Sequence, residues 1–308
     1  METGALRLRL LGGAQAWDDG TPCQALASPR IRSLVAYLLL HRDVAVPRQR
    51  LAFAFWPDSG EAQARTNLRN LLHVTRRTHP GLAAAVGDVG QALRWITEAG
   101  VTDDLTAFRA AAHDALHADP DDEAATIAAC RAAAAAYGGP LLPDETDQWL
   151  GTWRETLHEQ YVEVLRLLAT ALIDADRGAE ALEVTPQLLR ADPLDEPAHR
   201  LHMEAHAVTG DLAGAGRAYH ECLGVLDREL GISPSEATVA LFERFVERRP
   251  GDRPSEGRRT RHELIGRDAE WAMLAAAWEA VRVGPPRLAV VPGEAGVGDT
   301  RVPPRIRA

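Results

Sequence analysis

The chain contains no lysine, because all 34 basic side chains among its 308 residues are arginines. Any contact with a phosphate group must therefore come from a planar guanidinium or from a neutral donor. Cysteine is scarce, and Cys23, Cys130 and Cys222 match no metal-ligand spacing. The longest apolar run, residues 34–40, is too short to cross a bilayer, and the N-terminal residues lack the pattern of a secretory signal. These scarcities argue against a cysteine-held metal and a membrane partner, and they predict a reducing, cytoplasmic setting.

The charge of the chain changes sign along its length. Residues 1–100 contain 12 arginines and 8 acids, whereas residues 101–250 contain 12 arginines and 28 acids. The net charge of −10 therefore combines a basic first third of +4 with an acidic middle of −16 and a final segment of +2. Most of the acids are expected to solvate helices, but the asymmetry favours different partners for the two parts. The length suits two domains.

The first hundred residues predict a short sheet, three helices and a hairpin. Alternating apolar and basic residues over 6–10 indicate a half-buried strand, and Ser28-Pro29 opens a buried helix over 29–41. A short helix begins at Pro47, and a longer one covers 61–79. Two strands are then predicted over 83–86 and 92–97, with residues 87–90 as the turn between them.

The helix predicted over 61–79 separates its residues by type. At 100° per residue, Leu68, Leu71, Leu72 and Thr75 share one face. The opposite face holds four arginines and three hydrogen-bonding side chains. Arginine binds guanine edges and phosphates, and asparagine binds adenine, so this face is a candidate DNA-binding surface. With Arg94 on the predicted hairpin, the candidate DNA-binding residues are Arg65, Thr66, Arg69, Asn70, His73, Arg76, Arg77 and Arg94.

An ordinary solvated helix face is the alternative for this segment. Such a face usually mixes charges of both signs, whereas Glu61 is the only acid here. That difference favours DNA binding.

Three stretches of the first hundred residues resemble a known family. "LRLRLLGG", "SPRIRSLVAYLLLHRD" and "RQRLAFAFWPDSGEAQARTNLRNLLHVTRR" resemble the OmpR-type winged helix of the SARP family of antibiotic-pathway regulators. The resemblance implies that the third helix enters the DNA major groove, with the hairpin as the wing. It covers residues 1–100, which are predicted to form the DNA-binding domain.

Residues 101–248 predict a helical domain with an internal repeat. The segment 176–181, "DRGAEA", is echoed by 210–215, "GDLAGA", at an offset of 34 residues, the tetratricopeptide period. A generic helical bundle is the alternative, and the matched turns favour the repeat. The segment "AYHECLGVLDRELGISPSEATVALFERF" resembles the bacterial transcriptional activator domain (BTAD) that follows the winged helix in SARP regulators. The resemblance implies a transcription activator that self-associates, and RNA polymerase is a further candidate partner.

The C-terminal segment resembles the start of a STAND-type ATPase. A linker over 249–263 precedes residues 264–308, which include a degenerate phosphate-binding loop with Gly293, Gly298, Asp299 and Thr300. An acid stands at Asp299 where a lysine should approach the phosphates, and prolines follow where a helix should run. We therefore expect a truncated remnant without ATPase activity.

The fold is predicted to be mainly α with a small β component, a winged helix-turn-helix followed by a tetratricopeptide-like helical domain. The predicted function is a DNA-binding transcriptional regulator that is not an enzyme and needs no cofactor. Two alternatives are a tetratricopeptide-type adaptor without specific DNA binding, against which the basic third helix argues, and an ATP-dependent switch, against which Asp299 argues. His199, His202 and His206 suggest a metal at first sight, but no acid completes a metalloprotease-type motif, so packed histidines are preferred.

Overall fold

The structure is a computed structural model that describes residues 6–119 and 122–247. The predicted linker and the phosphate-binding loop with Gly293, Gly298, Asp299 and Thr300 lie outside the described residues. The strands are β1 (Leu6–Arg9), β2 (Gln15–Asp18), β3 (Thr21–Cys23), β4 (Val46–Pro47), β5 (Val86–Val89), β6 (Ala92–Trp95) and β7 (Thr102–Asp103). The helices are α1 (Pro29–Leu40), α2 (Arg48–Phe55), α3 (Glu61–Thr78), α4 (Pro80–Ala84), α5 (Asp104–Leu116), α6 (Glu123–Ala136), α7 (Leu150–Asp174), α8 (Gly178–Ala191), α9 (Glu196–Val208), α10 (Leu212–Leu230) and α11 (Glu236–Glu247).

The predicted fold class is confirmed: the described chain is mainly helical, with small sheets in its N-terminal part. The first sheet has the order β3-β2-β1-β7, with β1 antiparallel to β2 and parallel to β7. Leu6 and Leu8 are buried and Arg7 and Arg9 are exposed, as their alternation predicts. The second sheet, β4-β6-β5, packs beside α1, α2 and α4 and forms the wing.

The prediction for the first wing strand was wrong. Residues up to Ala84 continue a short helix that begins at Pro80, and the strand starts at Val86. Proline fixes a backbone angle that suits the first helical position, so Pro80 starts a helix where the apolar residues suggested a strand. The turn is correspondingly shorter, because Val89 pairs with Ala92 and leaves a two-residue loop with Gly90 at φ +58°.

Antiparallel helix pairs build the rest of the described chain, and α7–α8 and α9–α10 are joined by equivalent turns. Gly178 and Leu212, 34 positions apart, are the first residues of α8 and α10. In both turns, the residue two positions before the second helix has a left-handed backbone conformation: φ is +57° at Asp176 and +81° at Gly210. The backbone N–H groups of Arg177 and Asp211 donate to the carbonyls five residues earlier in the chain. This is a Schellman-type helix ending, and its recurrence supports the predicted repeat.

One continuous cluster of buried side chains extends from Leu6 to Ala205, so the sheet, the winged helix and the helix pairs share a core. The loop between α6 and α7 also forms backbone hydrogen bonds with the segment that follows β1. The N–H of Leu142 donates to the carbonyl of Leu10, and that of Gly12 to Pro140, both at 2.9 Å. Gly12 has φ +74°, and an added Cβ would lie 2.1 Å from the carbonyl oxygen of Gly138, so no larger residue fits there.

Charged side chains of the same loop bind α1. The carboxylate of Asp147 accepts hydrogen bonds from Arg30 and from the Ser33 hydroxyl, each at 2.5 Å. Glu145 accepts from Arg32 at 2.7 Å. These contacts fix the winged helix against the helical part of the chain.

Candidate DNA-binding surface

Three leucines anchor α3 to the core. Leu68, Leu71 and Leu72 are at most 9% exposed and belong to the same buried cluster as Leu34, Leu38 and Leu51 of α1 and α2. The predicted apolar face of α3 is therefore confirmed. Its orientation turns the opposite face of the helix to solvent.

The predicted DNA-binding side chains lie on that opposite face and on the wing. Thr66 is half-buried, and its hydroxyl donates to the carbonyl of Ala62 at 2.9 Å. The exposed members of the set are Arg65, Arg69, Asn70, His73, Arg76 and Arg77 on α3 and Arg94 on β6. The structure thus places the α3 residues on one helix face.

Two of these arginines form ion pairs. Arg65 pairs with Glu61 one helical turn earlier, and Arg76 pairs with Asp88 of β5 at 2.6 Å. Among residues 6–119 and 122–247, no carboxylate pairs with Arg69, Arg77 or Arg94. Exposed ion pairs contribute at most about 1 kcal/mol, so Arg65 and Arg76 can exchange a carboxylate for a phosphate at little cost.

A concave basic site that the sequence did not predict lies between α2, α3 and the wing. This cavity of about 440 Å³ is lined by Arg48, Gln49 and Gln91 together with Pro47, Arg65, Leu68 and Arg69. The backbone N–H of Arg48, at the start of α2, donates to the carbonyl of Gln91 at 2.9 Å, which brings the wing turn to the helix. Arg48 and Gln49 after Pro47 are a weak sequence signal for such a site, because only the fold brings these two residues next to α3.

Asp88 connects the three elements of this surface. One carboxylate oxygen pairs with Arg48 of α2 and the other with Arg76 of α3. A carboxylate on the wing therefore orients a guanidinium from each of two helices. Asp88 was predicted to lie in a turn, and its position on β5 explains why this role was not anticipated.

Two of the three histidines of α9 form hydrogen bonds with protein groups, and the third, His206, lies 3.2 Å from a carboxylate oxygen of Asp211. His199 is buried and bonds through Nε2 to the carbonyl oxygen of Pro193 at 2.9 Å, and His202 bonds through Nδ1 to the Thr185 hydroxyl at 2.8 Å. Burial lowers the pKa of His202, and the neighbouring His206 and His199 lower it further. No group of metal-ligating side chains is assembled within the described parts of the chain, and none of their helices is long and apolar enough to cross a membrane.

Comparison with known proteins finds transcription regulators among the proteins that are similar to this chain. Residues 103–245 match the family profile of the bacterial transcriptional activator domain. The regulatory protein AfsR of Streptomyces coelicolor is 31% identical over 255 residues, which are 81% of this chain and 25% of AfsR. This chain thus spans about a quarter of that relative. The transcriptional regulatory protein MoaR1 of Mycobacterium tuberculosis is 26% identical over 266 residues, 81% of this chain and 82% of MoaR1.

A solved structure has the same fold. It is Mycobacterium tuberculosis EmbR in complex with a low-affinity phosphopeptide, with a TM-score of 0.65 and 23% identity. The match covers 91% of this chain and 71% of the EmbR chain. Residues 103–245 are therefore similar to bacterial transcriptional activator domains, in a chain whose fold resembles that of EmbR.

Proposed function

We propose that this protein regulates transcription by binding double-stranded DNA with α3 in the major groove and the β5–β6 wing on the neighbouring backbone. The observation that supports this most directly is the solvent face of α3, which has arginines and hydrogen-bonding side chains opposite a buried row of leucines. Its side chains offer both bidentate donors for bases and charges for phosphates.

Position along α3 suggests a division of roles. Arg65, Arg69 and Asn70 lie in the N-terminal and middle turns, where a recognition helix meets base edges. Arg76 and Arg77 lie in the last turn, where backbone phosphates are the expected partners. The basic cavity beside α2 adds Arg48 as a third phosphate contact, held in place by Asp88.

The test is a titration of the full chain with its preferred duplex, selected from random fragments at controlled salt, and with a random duplex. The Arg69→Ala variant should lose about 1–3 kcal/mol on the preferred duplex and little on random DNA. The Arg76→Ala variant should weaken binding to both duplexes alike and lower the salt slope by about one.

Arg228→Ala serves as the matched control, because Arg228 is an exposed arginine of α10 outside this surface. It should bind both duplexes like the parent. If the parent chain binds no DNA at low salt, where the electrostatic attraction is strongest, the proposal fails. An adaptor that binds only protein would then be the better description.

We propose that the helical domain over 101–248 contacts protein, and specifically a second copy of this chain and RNA polymerase. Its helix pairs leave long solvent-exposed faces, and its net charge over residues 101–250 is −16. Sedimentation equilibrium across a hundredfold range of concentration tests the self-association. A mass that stays monomeric throughout would overturn the proposed self-association. The proposed contact with RNA polymerase would be overturned by a transcription assay in which adding this protein leaves polymerase recruitment unchanged.

A further inference from the structure

We propose that a cavity between the first sheet and helices α5 and α6 binds a small organic anion whose negative group is attached to a flat ring. This sheet-side cavity has a volume of about 770 Å³, and none of its lining residues belongs to α3. Its floor contains Arg7, Arg9 and Trp17, and its walls come from the start of α5, the end of α6 and Gly138.

Strand geometry places the three floor residues side by side. Arg7 and Arg9 alternate with the buried Leu6 and Leu8, so both arginines lie on the solvent face of β1, about 7 Å apart along the strand. Trp17 is the register partner of Arg7 on β2, and the Arg7 guanidinium carbon lies 5.8 Å from the centre of its ring. The floor therefore presents two guanidinium groups, of which that of Arg7 lies over the Trp17 ring.

The guanidinium groups are available to a ligand. In the described residues no carboxylate forms an ion pair with Arg7 or Arg9, and Arg9 donates only a long bond of 3.3 Å to the carbonyl of Leu11. The two acids in the wall already have other partners. Asp104 accepts from the N–H groups of Leu10 and Leu11 at 2.8 and 2.9 Å, and Asp103 accepts from that of Thr106 at 2.6 Å.

These features select a class of ligand. Guanidinium groups bind carboxylates and phosphates through charge-assisted, often bidentate hydrogen bonds. The indole of Trp17 and the planar Arg7 guanidinium over it favour a flat ring packed beside them. The volume falls within the range of about 300–1,000 Å³ that is typical of small-molecule sites. An occupant would contact the sheet and the α5–α6 pair at once, so its binding should stabilise the folded chain.

Calorimetry and thermal unfolding of the full chain test the proposal with four probes. Benzoate and phenyl phosphate combine a ring with a carboxylate or a phosphate, whereas phenol lacks the anion and inorganic phosphate lacks the ring. We expect at least one of the two combined probes to bind and raise the melting temperature, and each incomplete probe to bind about tenfold more weakly or less. Which combined probe binds more tightly identifies the anionic group.

Three variants locate the binding site. Arg7→Gln, Arg9→Gln and Trp17→Leu should each weaken binding of the combined probe about tenfold, the loss expected for one charge-assisted bond or one stacked ring. Circular dichroism shows whether each variant keeps its fold, and Arg228→Gln, remote from the cavity, should bind the probe like the parent.

The proposal is wrong if neither combined probe binds at millimolar concentration, or if Arg7→Gln and Arg9→Gln, both folded, bind as tightly as the parent. Arg69→Ala should leave probe affinity unchanged, because Arg69 does not line this cavity. Failure of the DNA-binding proposal and failure of this one are therefore separate results.

Discussion

Replacing Asp147 by alanine should reveal how strongly α1 is held to the α6–α7 loop. The Asp147 side chain is 12% exposed and accepts hydrogen bonds from Arg30 and Ser33. Ser33 is fully buried, and its single hydroxyl proton has two candidate acceptors, the carboxylate at 2.5 Å and the Pro29 carbonyl at 3.2 Å. The shorter bond to a charged acceptor is the stronger of the two, so Asp147→Ala removes the preferred partner of a buried hydroxyl.

The magnitude follows from the two bonds taken separately. A hydrogen bond to a charged group contributes about 1.5–3 kcal/mol. The Arg30 pair contributes less than about 1 kcal/mol, because the arginine side chain is 40% exposed. The free energy of unfolding should therefore fall by about 2–4 kcal/mol, a large share of the roughly 5–15 kcal/mol typical of a folded protein.

Urea unfolding of the full chain, followed by far-ultraviolet circular dichroism, measures this loss. Ser33→Ala should cost about 1–2 kcal/mol, and the double variant should cost less than the sum, with a coupling energy of about 1–2 kcal/mol. Glu159→Ala, an exposed acid of α7, is the control and should change stability by less than about 0.5 kcal/mol. Additive effects of Asp147→Ala and Ser33→Ala would refute the assigned hydrogen bond.

Three further expectations concern the core, pH and nucleotide binding. Leu68→Ala should lower the free energy of unfolding by about 2–5 kcal/mol in urea titrations, because it leaves a cavity beneath α3, and a loss below 1 kcal/mol would contradict the burial. The lowered pKa of His202 means that the unfolded chain binds a proton more readily than the folded one, so the stability contributed by the neutral ring should be complete above pH 6.5 and decrease as the pH falls below it. His202→Gln should flatten that part of the urea-determined pH profile, whereas His158→Gln, at an exposed position, should not. Equilibrium dialysis should detect no ATP binding, given the acid at Asp299, and micromolar affinity would overturn the expectation.

Local periodicity in the sequence was enough to predict the α3 surface. Leu68, Leu71 and Leu72 recur at helical spacing, and helix geometry then determines which side chains lie opposite them. The 34-residue repeat was also predictable from local sequence, because each of its turns is a short stretch whose backbone angles restrict the residues that it can contain.

Contacts between distant segments were not predictable in this way. Ser33 and Asp147 are 114 positions apart, and nothing in either neighbourhood specifies the other. The basic cavity beside α3 likewise combines residues from α2, α3 and the wing turn. The wing strand was misplaced because a short apolar stretch fits a helix or a strand equally well, and Pro80 decided the outcome.

The shared core determines where this protein can be cut or recombined. A segment that ended near residue 100 would lose the carboxylate of Asp104, which binds the N–H groups of Leu10 and Leu11, and it would expose those two leucines, which are fully buried in the intact chain. Exchanging residues 6–100 with those of a related chain therefore calls for transferring α5, α6 and the loop after α6 as well. A junction directly after that loop would still divide the shared core, because Leu150 and Leu157 of α7 lie in the same buried cluster and Arg154 donates to the carbonyl of Leu141 at 2.7 Å.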